Sequence, residues 1–339
     1  MSFKNLAVLL FIFMMSGLRG QIVEPHFIDQ TKVADTLAKG AQLYKISETE
    51  SYIYGRPSFL SIVPSSLRDM RDYGKFAFKE ENLWKIGAMA FVTGACVVYD
   101  QSIVDKAQNF GRTVGISGND NKANISPIPH VPIWVPTDLP SSLYFIGDGW
   151  TEATINVGFY LYGFLKKDNR AYTTAVELTE GLIDMAVVTQ TMKHIAGRQC
   201  PFTESQPGGI WHWFPNQITY ANNVPYYDAF PSGHLATAME TVTIISENYP
   251  DYKFIKPLGY GLMAVCGYQM LNNGVHWFSD YPLAIALGYG MGKIAVTRGR
   301  LKVKNNKTDV GTFGDFWRKI NITPVYSGNS YSMGLNYKF

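Results

Sequence analysis

Ala229-Phe230-Pro231-Ser232-Gly233-His234-Leu235-Ala236-Thr237-Ala238 runs from a tight Pro-Ser-Gly turn straight into an apolar helix. A turn of that kind aims backbone N–H groups at an anion, and Gly233, with no Cβ, leaves room for close approach. The amides of Ser232, Gly233 and His234 are expected at the positive end of the helix dipole, where phosphate-like groups bind. His234 then stands beside the bound group, titrating near neutral pH and able to donate or accept a proton.

Two further segments flank this turn. Upstream is Lys193-His194-Ile195-Ala196-Gly197-Arg198-Gln199-Cys200-Pro201; downstream is Gln269-Met270-Leu271-Asn272-Asn273-Gly274-Val275-His276-Trp277-Phe278-Ser279-Asp280. With Pro-Ser-Gly-His they resemble the three signatures of the phosphatidic acid phosphatase type 2 and vanadium haloperoxidase superfamily, over roughly residues 143–297. The first signature is Lys, six residues, Arg, Pro: Lys193 and Pro201 match, and Cys200 holds the arginine position. The third is Ser-Arg, five residues, His, three residues, Asp: His276 and Asp280 match, while Gln269 and Met270 replace Ser-Arg. The chain thus resembles a divergent bacterial envelope member with both motif arginines replaced.

The resemblance implies a phosphoric monoester or lipid phosphate hydrolase working through a phosphohistidine. His276 would attack phosphorus, Asp280 would hold the other ring nitrogen, and His234 would protonate the departing oxygen and then activate water. Pro282 is tolerated only in a first helical turn, so a helix should begin near Ser279 and pair Asp280 with His276 through a cap. Lys193, Ser232 and Gly233 would bind phosphate. In the family the two missing arginines grip the phosphoryl oxygens, and losing one preorganised donor of that type costs about 3–4 kcal/mol. Arg198 is the expected substitute cation, although many relatives carry an arginine there besides the motif one, which leaves a separate task open.

That degenerate phosphate site keeps two alternatives in view: a catalytically inactive member acting as an envelope binding or scaffold protein, and a vanadate-dependent haloperoxidase. No cofactor or metal is expected, with vanadate admitted only as a phosphate mimic. The partner would be a phosphorylated small molecule or lipid head group.

Five segments have helical apolar periodicity, 153–165, 172–197, 234–248, 257–272 and 279–296, and the charge-free run 86–99, which suits a buried core helix, makes six. The resemblance implies the same number, and the expected fold is all-α, a six-helix bundle. No core segment has a charge-free run of 18 residues, short of the ~20 that a span requires, so solubility is expected once the N-terminus is removed. Residues 1–20 read as an export signal, with Lys4 before an apolar stretch from Leu6 to Met15, which implies a periplasmic or outer-membrane-associated protein. Residues 21–142 form an N-terminal extension that includes the first core helix, a helix near 65–78, and a Pro/Gly-rich surface loop over 111–142. Residues 143–298 are the phosphatase-like core, and 299–339 a tail.

The formal charge of +3 over 339 residues implies no nucleic-acid surface, and Cys96, Cys200 and Cys266 are too few for a disulfide framework. Gly147-Asp148-Gly149 reads as a turn and cap, with an active-site rim as the alternative. The aromatic insert over 202–230, with Trp211-His212-Trp213-Phe214, either packs its loop onto the bundle or walls an apolar substrate pocket. In the tail, Tyr331, Met333, Leu335, Tyr337 and Phe339 alternate with polar residues or glycine, a period-two strand. It would form a short hairpin with residues 322–326, or dock on an outer-membrane partner.

Overall fold

The structure, a computed structural model, describes residues 26–28, 32–127, 132–305, 320–327 and 330–337. The export signal expected over 1–20 lies outside the described residues, as does Phe339. The α-helices in chain order are α1 (Val33–Ala38), α2 (Ile62–Ala77), α3 (Leu83–Val97), α4 (Asp100–Val114), α5 (Leu139–Phe145), α6 (Gly149–Leu165), α7 (Asn169–Ala196), α8 (Gln217–Asn222), α9 (Gly233–Asn248), α10 (Ile255–Asn272) and α11 (Tyr281–Gly299). The strands are β1 (Gln42–Lys45), β2 (Glu50–Tyr54), β3 (Lys122–Asn124), β4 (Trp134–Pro136), β5 (Arg300–Lys304), β6 (Ile320–Ser327) and β7 (Ser330–Tyr337).

The chain is mostly helical, but eleven α-helices among the described residues replace the expected six. The six apolar segments correspond to α3, α6, α7, α9, α10 and α11. Helix α4 escaped because its buried stripe, Asp100, Val104, Ala107 and Gly111, is interleaved with Gln, Lys and Asn. Helices α5 and α8 are under two turns long and start on side-chain caps, Asp138 and Asn216, rather than on apolar periodicity. Prolines in the 111–142 segment do not exclude structure there. Pro136 ends β4, which pairs with β3, and Pro140 lies in the first turn of α5, where its missing N–H has no helical acceptor to lose.

Helices α7, α9 and α11 pack together at the centre. Asp168 caps α7, accepting from Ala171 N at 2.8 Å, and Gly197 ends it in the left-handed region at φ 52°. The α9–α11 crossing is close because Gly288 has no side chain: a Cβ there would lie 2.1 Å from the Ala236 carbonyl oxygen. The chain leaves α11 directly into β5, which pairs antiparallel with β2, Ile53 opposite Leu301, while β1 takes the other edge of β2. This three-stranded sheet lies in segments read from sequence as an N-terminal extension and a tail. It buries Tyr52, Ile53 and Tyr54. In the tail β6 and β7 form an antiparallel hairpin with Ile322 opposite Leu335. Cys96, Cys200 and Cys266 are all buried free thiols.

No single helix among the described residues is long and apolar enough to cross a membrane. One pair bent by 60°, Glu80–Val97 with Asp100–Val114, passes that test only when taken together.

The bundle also buries carboxylates. Glu177, Glu180 and Asp184 recur at spacings of three and four along α7 and so share one face, with Asp69 of α2 and Glu240 of α9 buried as well. Arg298 pairs with Asp69 and Glu180, Ser66 donates to Asp184, and Asn248 donates to Glu177. Neither Glu240 oxygen has a hydrogen-bond partner. Burial pushes Glu177 and Asp184 up to about 7 and Glu180 to about 8. Unfolded carboxyls ionise near pH 4, so the folded chain holds extra protons between roughly pH 4 and 8, and stability is lost as pH rises through that window. The melting temperature should therefore fall between pH 5 and pH 8. Glu240→Leu should raise it at pH 8, because no partner is orphaned. A flat profile in thermal unfolding over that range would sink this expectation.

Candidate active site

The Pro-Ser-Gly turn sits where α7, α9 and the loop before α11 converge. Ser232 caps α9, its Oγ accepting from Leu235 N at 3.4 Å. Its own amide is not offered to an anion, as the sequence had suggested, because it donates to the Asp280 carbonyl at 3.1 Å. Gly233 and His234, the first residues of α9, keep the amides that have no acceptor within the helix. Lys193, from the last turn of α7, stands over this turn with Nζ 3.8 Å from where a Cβ on Gly233 would lie. Its ammonium is paired with Asp228 Oδ2 at 2.7 Å, and Tyr220 donates to the other oxygen of the same carboxylate. Asp228 was missed from sequence. It belongs to no signature, and only its place four residues before Ser232 pointed to it.

His276 lies in the loop before α11 and is 5% exposed. Its Nδ1 is 2.7 Å from the Ala229 carbonyl oxygen. A carbonyl only accepts, so the proton of the neutral ring is on Nδ1 and the lone pair on Nε2. Asp280 Oδ2 is further from Nδ1, at 3.4 Å, and accepts from Trp277 N at 2.7 Å. The tautomer is therefore set chiefly by a backbone carbonyl of the turn, and Asp280 is a second, more distant partner rather than the direct holder expected. The cap expectation has its counterpart in a short 3-10 turn, Phe278–Asp280, which precedes α11 and leaves Pro282 in its first turn.

The rings of His234 and His276 are 6.4 Å apart between centroids, inside the reach of one bound phosphate. His234 also packs on Tyr144 at 4.6 Å, and its Nε2 is sealed from solvent without a hydrogen-bond partner. Burial first, then the His276 ring and the Lys193 and Lys122 ammonium groups, push the His234 pKa down to about 3, so the free site holds it neutral.

Arg198 is not presented to this site. It is fully buried, with Nη1 on Asp280 Oδ1 at 2.5 Å and on Ser279 Oγ at 2.6 Å, and Nη2 on Asp100 Oδ2 at 2.6 Å. Its plane stacks over Trp211 at 4.6 Å. The substitute-cation expectation is corrected on this point: two carboxylates, one delivered by the unexpected helix α4, already occupy the guanidinium. Asp100 gains its place by accepting from Ser279 N at 2.9 Å.

The two positions where the signatures have arginine are buried. Met270 Sδ accepts from Ser232 Oγ at 3.7 Å, so a thioether touches the turn where a guanidinium would reach. Burial pushes the Cys200 thiol up to about 12, which keeps it uncharged. Gln269 turns away from the turn and donates to the Ser117 carbonyl at 2.9 Å.

The aromatic insert is packed at one end and exposed at the other. Trp211 lies against Phe230 at 5.1 Å and stacks with Trp213 at 5.4 Å, while Trp213 and Phe214 remain exposed. His194 stacks on Tyr220 and His212 packs against Tyr227, both away from the paired histidines.

Residues 174–302 match the model of the PAP2 superfamily. Among solved structures the chain is similar to the first transmembrane PAP2 type phosphatidylglycerolphosphate phosphatase from Bacillus subtilis, at 12% identity and a TM-score of 0.35, over 70% of this chain and 93% of that one. No curated protein sequence matches it. The matched segment contains Lys193, the Pro-Ser-Gly-His turn, His276 and Asp280, so it is this segment, residues 174–302, that is similar to the PAP2 superfamily.

Proposed function

We propose that the protein is a phosphatase that hydrolyses a phosphoric monoester, a phosphorylated small molecule or lipid head group, through a phosphohistidine on His276. The observation that carries this reading is the His276 tautomer: the 2.7 Å contact from Nδ1 to the Ala229 carbonyl leaves the Nε2 lone pair available. That lone pair attacks phosphorus while the bond to the leaving oxygen breaks, and His234 protonates that oxygen. Water then attacks the phosphoryl group, its proton passes to His234, and the N–P electron pair returns to Nε2. Lys193 and the amides of Gly233 and His234 bind the phosphoryl oxygens, and the exposed rings of Trp213 and Phe214 offer contact to an apolar part of the substrate.

A second reading, a silent member retained for binding in the envelope, is favoured by one observation: Met270 and Cys200 fill the arginine positions with buried uncharged groups. The purified protein should hydrolyse an aryl phosphate and be inhibited by vanadate. Cys200→Arg with Met270→Arg should raise the rate if the site accepts both guanidinium groups. A wild type without turnover, paired with a double mutant that has it, would establish the silent reading instead. No turnover in either would remove the phosphatase proposal.

A further inference from the structure

His234 has a neighbour that none of the signatures contains. Asp148 lies in the Gly147-Asp148-Gly149 turn and caps α6, its Oδ1 accepting from Trp150 N at 3.0 Å. Its other oxygen, Oδ2, is 3.9 Å from His234 Nε2 and 3.9 Å from Lys122 Nζ. Lys122 comes from β3, inside the Pro/Gly-rich segment, and is held by Asp120 at 2.8 Å. The second oxygen of Asp148 therefore stands equally far from a fixed cation and from the one buried nitrogen of His234 that has no partner.

The groups facing His234 come from six elements. Tyr144 of α5 packs tilted against the ring, Asp148 at the start of α6 lies beside Nε2, and Lys122 of β3 lies beside Asp148. Lys193 of α7 and His276 before α11 stand on the phosphate side, and Cys266 of α10 packs under Gly147. The Cys266 thiol is pushed up to about 12 by burial and stays uncharged. Asp148 is thus the carboxylate placed to stabilise a charged His234 ring, and every cation around it opposes that charge.

We propose that Asp148 is the positioning residue that makes His234 a proton donor, and that Lys122 weakens this pairing until an anion occupies the site. The inference rests on the phosphatase reading for its purpose, but not for its measurement. A phosphate dianion beside Lys193 offsets the positive field on His234. A movement of about 1 Å then brings Asp148 Oδ2 to hydrogen-bond distance of Nε2–H. The carboxylate holds that proton on Nε2 and remains ionised, which leaves Nδ1–H to be given to the leaving oxygen as its bond to phosphorus breaks. The same nitrogen recovers a proton from the attacking water, so the ring ends the cycle as it began.

The test is Asp148→Asn, chosen because asparagine caps a helix as well as aspartate does and removes only the charge. His234 is followed by NMR titration of histidine-labelled full-length protein, with and without saturating inorganic phosphate. With phosphate bound, the His234 pKa should be about one to two units lower in Asp148→Asn than in wild type, the scale of one neighbouring carboxylate, and Lys122→Gln should move it upward. Where turnover is measurable, the high-pH limb of kcat should move in the same directions. An Asp148→Asn titration that coincides with wild type in the presence of phosphate would overturn the proposal and leave Asp148 as a cap. Because the titration needs no turnover, an inactive protein would count against the phosphatase reading without touching this one.

Discussion

His276→Gln should reduce aryl phosphate hydrolysis by a factor on the order of 10⁴ or more, the scale of losing a covalent nucleophile, while the melting temperature stays near that of wild type. Glutamine retains an N–H that can reach the Ala229 carbonyl, so the 2.7 Å tie between the turn and the loop before α11 can be remade. What it lacks is the basic lone pair that Nε2 presents. Acid-labile phosphate trapped on wild-type protein, and absent from the variant, would locate the intermediate. Residual turnover within tenfold of wild type would exclude His276 as the nucleophile.

Arg198→Ala should destabilise the fold by about 3–5 kcal/mol, read as a lower denaturant midpoint. The guanidinium lies between Asp100 and Asp280, both fully buried, and its removal leaves two carboxylates with no cation in contact. Asp280 is also tied to Ser232 through its carbonyl and to Trp277 through Oδ2, so the damage should spread into the turn and the loop that carries His276. Adding Asp100→Asn to Arg198→Ala should recover part of the loss, because one of the orphaned charges is then absent. A midpoint unchanged by Arg198→Ala, together with a hundredfold fall in turnover, would instead make Arg198 a phosphate ligand, as its place near Cys200 had suggested.

The signatures predicted where chemistry-bearing residues stand along the chain but not what each one faces. His234, His276 and Lys193 could be matched to signature positions because residue type and spacing are properties of the chain itself. The long apolar helices were legible for the same reason, since a continuous 3.6-residue period survives without knowledge of any partner. The sheet was not. β2 and β5 are hundreds of residues apart in sequence, and their strands become complete only when Ile53 meets Leu301.

Three features of the site were decided by tertiary structure alone. Arg198 looks available in sequence because Asp100, its partner, arrives from a helix 98 residues away that carries no signature. The His276 tautomer is set by the Ala229 backbone, which has no side-chain code to read. Asp148 comes to 3.9 Å from His234 out of a turn, and Lys122 to 3.9 Å from Asp148 out of a strand in a different segment, separations that no sequence spacing encodes. Sequence by itself determined the helical periodicity and which residues occupy the signature positions, because both are local. Charge pairing, tautomer and the environment of each ring were decided only by folding, because electrostatic interactions act through space between residues that the chain keeps far apart.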